Sequence, residues 1–284
     1  MDGLKEENGL PIPQSHKTVC ASLMRKSLNQ RFVEMSRLYH FTSFDSACKI
    51  IGSKRLRFGK AYRMNDLIES NRMVFDHILS SSLLKDSSLY AEREMKRYQQ
   101  LSFVQDKEYD EVVFLGFDLH SMWGLYADKG YGVCLVFDKG KLAIGANDYA
   151  NDVKYRYMVP ESFAFKNKSK PGLKAEIWKK KDDIFFNKRK EWKYEQEYRI
   201  IRRAQREDSD EYLDISDSLS FAIICKDYSV ELEENISMFD GDHFDCLRSL
   251  DRRLPILTYE NGLDGYSLFK GYLDPIWTEQ CGYM

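Results

Sequence analysis

Residues 191–201 read EWKYEQEYRII. At a period of two the stretch is a strand with Glu195, Glu197 and Arg199 on one face and Tyr194, Tyr198 and Ile200 on the other. Carboxylates two residues apart on a strand lie roughly 7 Å from each other. Each then raises the other's pKa, and a single Arg on that face offsets only part of the repulsion. Such a pair suits chemistry in which positive charge develops on a sugar ring, or metal binding. It equally suits a solvated strand face in a charge-rich protein. As exposed cleft carboxylates, the two would contribute little to stability.

Outward from this stretch the charge is uneven. Residues 165–206 hold fifteen Lys or Arg against six Asp or Glu, and residues 207–218 hold six acids and no base. The basic runs Lys179-Lys180-Lys181 and Lys188-Arg189-Lys190 read as a solvated amphipathic face or as a patch that steers an anionic, nucleic-acid partner. The net charge is only -2, and 43% apolar residues are ample for a packed core. Six cysteines lie far apart with no CxxC pair. With no signal peptide and no apolar run near ~20 residues, the expectation is a soluble cytoplasmic protein that does not bind a membrane, its thiols reduced. His243 and Cys246 have a ligand-like spacing but no second pair nearby, so no metal is expected.

In chain order, residues 1–16 read as a loose tail, and 18–37 as helix-compatible. LYHFTS alternates as a strand, with Leu38, His40 and Thr42 facing one way and Tyr39 and Phe41 the other. Ser43 or Asp45 caps a helix running to Gly52. Residues 55–62 are extended; 65–84 and 88–103 read as helices on charge and apolar spacing. EVVFLGFDL at 111–119 and GVCLVFD at 132–138 are buried strands flanking a helical SMWGLYAD turn, which Ser121 can cap. Val153 to Tyr157 is a short strand. Pro171 to Lys188 is an amphipathic helix with Leu173, Ile177, Ile184 and Phe185 as its stripe. It delivers the chain to a strand at 196–203, and a last strong strand follows at 220–225. The domains expected are the tail, a main unit over 17–227 and an extension over 228–284 packed on it.

Four segments carry a resemblance: LYHFTS at 38–43, MND at 64–66 with Glu69, MWGLYADKGYGVCLVFD at 122–138, and the F-x-K…EWKYEQEYR segment at 186–199. Together they resemble a widespread bacterial family of domains of unknown function, built on LYHYTS, FNDPxE, MWxHYAD…GVCLxFD and WxxExEYR. The match spans residues 37–225. It departs where Leu67-Ile68 replaces a Pro and where GFDLH precedes the MW motif.

That family is in turn similar to the ADP-ribosyltransferase superfamily. The resemblance implies an α+β fold with a mixed or antiparallel split-sheet core and flanking helices. It further implies NAD as the substrate, no metal, and an unnamed protein or nucleic-acid acceptor in a toxin or phage-defence setting. The implied catalytic residues are Glu197, Glu195 and His40, and Thr42, Ser121, Tyr126 and Arg199 bind substrate. Glu197 serves NAD and Glu195 the acceptor.

Physical chemistry fits these roles. Breaking the nicotinamide–ribose bond passes through an oxocarbenium-like state, as glycoside hydrolysis does. A carboxylate beneath the ribose stabilises it, a neutral imidazole can bind ribose hydroxyls, and Tyr126 or Trp123 can stack on the nicotinamide. The competing expectations are a catalytically silent nucleotide-binding or protein-interaction domain, and a metal-dependent nuclease using Asp66, Glu69, Glu195 and Glu197.

Overall fold

In the computed structural model, residues 36–64, 90, 92–109, 112–159, 169–226, 240–261 and 267–269 are described. Residues 37–284 group as one compact unit and 1–36 as another; the account below concerns the first. The expected tail, residues 18–35 of the helix-compatible 18–37 stretch and the 65–84 helix, with Asp66 and Glu69, lie outside the described residues, and Arg37 begins a strand.

The main sheet has nine strands among the described residues: β1 (Arg37–Thr42), β2 (Gly59–Lys60), β3 (Tyr98–Gln105), β4 (Val133–Asp138), β5 (Asp148–Asp152), β6 (Glu197–Arg203), β7 (Leu219–Lys226), β8 (Ile256–Asn261) and β9 (Ser267–Phe269). Their order is β9-β8-β7-β4-β1-β3-β6-β5, with β2 also on β3. All pairings are antiparallel except β7 with β8. The protein is therefore α+β with a mixed, open sheet. The boundary expected at 227 falls between β7 and β8, which are hydrogen-bonded neighbours.

Helices α1 (Phe44–Ser53), α2 (His120–Tyr126), α3 (Lys170–Lys179), α4 (Lys181–Phe185) and α5 (Asp240–Leu250) frame it. Ser43 caps α1 by accepting from the Ser46 N–H, and Lys54 ends it in the left-handed region. Ala47 and Ile51 of α1 and Leu247 of α5 pack with Leu38, Phe103, Leu135, Phe137 and Ile200 on one face of the sheet. Leu173, Ile177, Ile184 and Phe185 of α3 and α4 cover Tyr98 and Ile201 at one end of the other face. None of the described helices is long and apolar enough to cross a membrane.

Several elements differ from the sequence reading. Residues 88–103 are not one helix: helix ends at 96, and Tyr98–Gln105 is a central strand. Its alternation was hidden because polar Gln99 and Gln100 are themselves buried. The long strand expected at 111–119 is a short one at Val112–Phe114 followed by a 3-10 turn at Gly116–Asp118. A Cβ at Gly116 would come within 2.5 Å of the Tyr39 ring, so the chain bends where it can approach β1. The helix from 171 to 188 breaks at Lys180, and Asn187–Arg189 pairs in parallel with Lys154–Arg156. Ser121 does not cap α2; Leu119 is the N-cap residue.

Two glycines give a stability test. A Cβ on Gly132 would lie 2.2 Å from the Thr42 carbonyl oxygen and 2.8 Å from Ala127 backbone atoms, which cannot swing aside. Gly124, exposed on α2, has nothing within 4 Å. Gly132→Ala is expected to lose about 1–3 kcal/mol or more by overpacking. Gly124→Ala should be neutral or gain up to about 1 kcal/mol from helix propensity. Urea denaturation of the two variants checks the pair.

Candidate functional site

The edge of β3 is divided. β1 pairs with it at Val104 and Gln105, β2 at Gln99 and Gln100, and among the described residues no strand of this edge pairs with residues 101–103. β6 occupies the opposite edge along its length. A cleft of about 330 Å³ opens at this gap, lined by His40, Gln100, Ser102, Tyr126, Lys188, Glu195, Glu197 and Arg199 among others. His40 closes part of the gap: its Nδ1 lies 3.2 Å from the Ser102 carbonyl oxygen. A carbonyl only accepts, so Nδ1 carries the proton and Nε2 is left as an acceptor. Burial lowers the His40 pKa against the opposing pull of that hydrogen bond, so the ring is neutral near pH 7.

The two glutamates do not alternate along one strand. Lys190–Glu195 is a 3-10 turn, Gln196 is left-handed (φ 46), and β6 starts at Glu197. They nevertheless meet, because Lys188 Nζ reaches Glu195 Oε2 at 2.5 Å and Glu197 Oε2 at 3.2 Å. Neither carboxylate is exposed: Glu195 is 3% and Glu197 5% accessible, with Lys188 at 6% and Arg199 at 0%. Arg199 forks onto Glu197, Nε to Oε1 at 2.5 Å and Nη2 to Oε2 at 2.9 Å, while its Nη1 donates to the Phe185 carbonyl. Two anions and two cations make the cluster formally neutral.

Their chemistry has diverged accordingly. Burial would push the Glu197 carboxyl up, but the charges of Arg199 and Lys188 and hydrogen bonds from Arg199 and Ser102 hold it down at about 2. The Glu195 carboxyl is raised, first by burial and further by the Glu197 charge, against Lys188 and the Tyr126 hydroxyl, which donates to Oε1 at 2.7 Å. The expectation that each carboxylate raises the other therefore holds for Glu195 and fails for Glu197, where the cations win.

Of the residues singled out in the sequence, His40, Tyr126, Glu195, Glu197 and Arg199 line the cleft; Thr42 and Ser121 do not. Trp123 is buried, donating to the Phe117 carbonyl and stacked on Tyr259. Three lining residues had been given other places. Lys188 was read into a solvated basic run, although F-x-K stood in the quoted motif. Ser102 and Gln100 fall in the stretch whose spacing predicts a helix, because two adjacent glutamines interrupt the alternation of YQQLSFVQ. Other members of the basic runs are also engaged: Lys180 pairs with Glu176, Lys181 lies over Tyr149 and Trp178, Arg189 pairs with Glu191, and Lys190 binds the Tyr157 hydroxyl. Among the described residues, no group of three or more His, Cys, Asp or Glu side chains is placed to hold a metal ion.

Residues 122–200, from α2 into β6, match a family described as Protein of unknown function (DUF2971). The DUF2971 segment supplies Tyr126, Lys188, Glu195, Glu197 and Arg199, whereas His40, Gln100 and Ser102 come from the chain before it. No curated protein and no solved structure matches the chain.

The expectation that variants of either carboxylate fold normally is corrected by this burial. Glu197→Gln leaves two buried cations short of a counter-charge and should cost about 3–5 kcal/mol at neutral pH. The pH dependence has a defined sign. Glu197 has a depressed folded pKa, so its contribution is present above the ordinary carboxylate range and is lost as pH falls toward about 2. Glu195 has a raised folded pKa, so its protonation on acidification favours the folded state. Denaturation from the ordinary carboxylate range down toward pH 2 should show a shallower acid loss in Glu197→Gln than in the parent, whereas Glu195→Gln should lack the gain in stability that the parent shows as pH falls to the ordinary carboxylate range from above.

Proposed function

We propose that the cleft binds NAD and cleaves its nicotinamide–ribose bond, passing the ADP-ribosyl group to an acceptor, in an ADP-ribosyltransferase-like version of this α+β fold. The observation that carries the reading is the alignment of His40, Ser102 and Glu197 on three neighbouring strands, β1, β3 and β6, around one cleft with a buried carboxylate pair. In this mechanism the C–N bond breaks with its electron pair leaving on nicotinamide, which departs neutral. Glu197, kept ionised, faces the positive charge that develops on the ribose. Neutral His40 offers Nε2 to a ribose hydroxyl. The acceptor nucleophile then bonds to the ribose carbon and gives its proton to Glu195, which burial makes the more basic of the two carboxylates. With water as the acceptor the same site is a glycohydrolase.

One observation favours a silent binding domain instead: both Glu197 oxygens are already taken by the Arg199 fork. The nuclease reading would require a metal to displace Lys188 and Arg199 from the same carboxylates.

Incubation of the full chain with NAD, without added metal, is expected to release nicotinamide. Glu197→Gln should abolish release, scored per folded molecule because of its stability loss. Glu195→Gln should keep hydrolysis and lose transfer, by about 10²–10⁴-fold as for removal of a general base. Release from folded Glu197→Gln at the parent rate would return the cleft to the binding-domain reading.

A further inference from the structure

Two thiols meet between α1 and α5, and the cleft uses neither. Cys48 Sγ lies 3.9 Å from Cys246 Sγ, although 198 positions separate them in the chain. The helices that carry them are held in register on either side of the pair. Ala47 and Ile51 of α1 and Leu247 of α5 are buried in the core. The residues beside them, Cys48 and Cys246, are thereby turned toward the seam between the helices. One turn further on, a Cβ at Gly52 would stand 3.6 Å from Leu250 Cδ2. Beyond the helix ends, Lys54 Nζ binds the Asp251 carboxylate. The contacts of 48 with 246, 52 with 250 and 54 with 251 advance together, so the helices run in the same direction and hold the two thiols opposite each other.

The two sulfurs are not equivalent. Both are free thiols, Cys246 exposed and Cys48 half-buried. Burial first, and then the contact with Cys246, raises the Cys48 thiol to about 11, so it keeps its proton at neutral pH. An oxidant in solution therefore meets Cys246 first, with Cys48 behind it as the second thiol. Among the described residues no third ligand joins the pair to hold a metal ion. The sulfurs are already in van der Waals contact, and a disulfide requires about 2 Å between them, a gap that rotation about χ1 can close.

We propose that Cys48 and Cys246 are an oxidation site that closes to a reversible disulfide, fastening α5 and the strand β8 that follows it to α1. With hydrogen peroxide as the oxidant, the Cys246 sulfur takes one oxygen from the peroxide, and its thiol proton leaves with the other as water. The Cys48 sulfur then attacks the sulfenic sulfur of Cys246. The S–S bond forms, the S–O bond breaks, and the Cys48 proton leaves with the hydroxyl as a second water. Two thiols lose two electrons and the peroxide gains them. Under reducing conditions the pair rests as thiols. The loop closed from 48 to 246 contains Ser102, Tyr126, Lys188 and both glutamates, so the bond restricts the unfolded chain over most of the cleft residues without engaging any of their side chains. The proposal is independent of the chemistry assigned to the cleft.

The test is treatment of the reduced, folded full chain with hydrogen peroxide, followed by peptide mapping without reductant and by thermal denaturation. The peptides holding Cys48 and Cys246 are expected to appear joined, lighter by two hydrogens than their sum, and to separate with dithiothreitol. Oxidation should raise Tm by about 5–15 °C, as expected for closing so long a loop. Cys246→Ser should show neither the joined peptides nor the rise. Cys48→Ala should stop at the first step, leaving a sulfenic acid on Cys246 that dimedone traps. Because Cys246 is exposed, Cys246→Ser keeps the test decisive should Cys48→Ala not fold. Oxidation that leaves the two peptides separate, or joins Cys246 to a different cysteine or to a second chain, would overturn the proposal. So would a Tm that does not rise in the cross-linked parent, or one that rises equally in Cys246→Ser.

Discussion

Everything at the cleft depends on two carboxylates being taken out of water together. Alone, a buried pair of glutamates would protonate, since desolvation and mutual repulsion push both pKa values up. Lys188 changes this by touching both, and Arg199 by committing its fork to one. The result is a formally neutral cluster in which one acid is firmly ionised and the other is held nearer its protonated form. A buried ion cluster of this kind adds little net stability over an apolar core of the same volume, while loss of any single member is expensive. The geometry is thus rigid for reasons of charge, and the fold need only bring four side chains to one point.

The sheet does this by leaving β3 incompletely paired. Had β1 continued along β3 past Val104, its backbone would have consumed the Ser102 carbonyl and no cleft would exist. The strands instead diverge, β2 takes up the far end, and the His40 ring supplies the hydrogen bond that a strand would have made. The unpaired stretch is short, three residues, so the main chain is barely left unsatisfied while a ligand-sized space opens beside it.

The residues that the sequence exposed and those it hid differ in a physical way. β1, β4 and β6 were legible because their apolar residues are dense enough to mark buried strands: VCLVFD carries five consecutive buried residues. Glu195, Glu197, Arg199, Tyr126 and His40 were legible as unusual polar residues within such stretches, and they do line one cleft. β3 was not legible, because half its length is polar and two of those residues, Gln99 and Gln100, are buried; YQQLSF has the composition of a helix surface, and only the tertiary contacts of Gln99, Gln100 and Ser102 reveal otherwise. Lys188 was hidden for the converse reason. Within a basic run each lysine looks alike, and which one turns inward is decided by the parallel pairing of 187–189 with 154–156.

The difference between the glutamates traces to one backbone residue. On a continuous strand, Glu195 and Glu197 would share a face and compete equally for Arg199. A left-handed residue other than glycine is disfavoured by about 1–2 kcal/mol, and Gln196 adopts that conformation with its backbone N–H on Lys193 and its carbonyl on Gln105. That turn swings Glu195 off the strand toward Tyr126 and out of reach of the guanidinium fork, leaving it Lys188 alone as a cation. Glu197 stays in the ladder, where the i+2 neighbour on the same face is necessarily Arg199. One acid is therefore set by strand periodicity and the other by a departure from it. The turn at Gln196 is what gives the two carboxyls of the E-x-E segment different partners, and with them opposite pKa shifts.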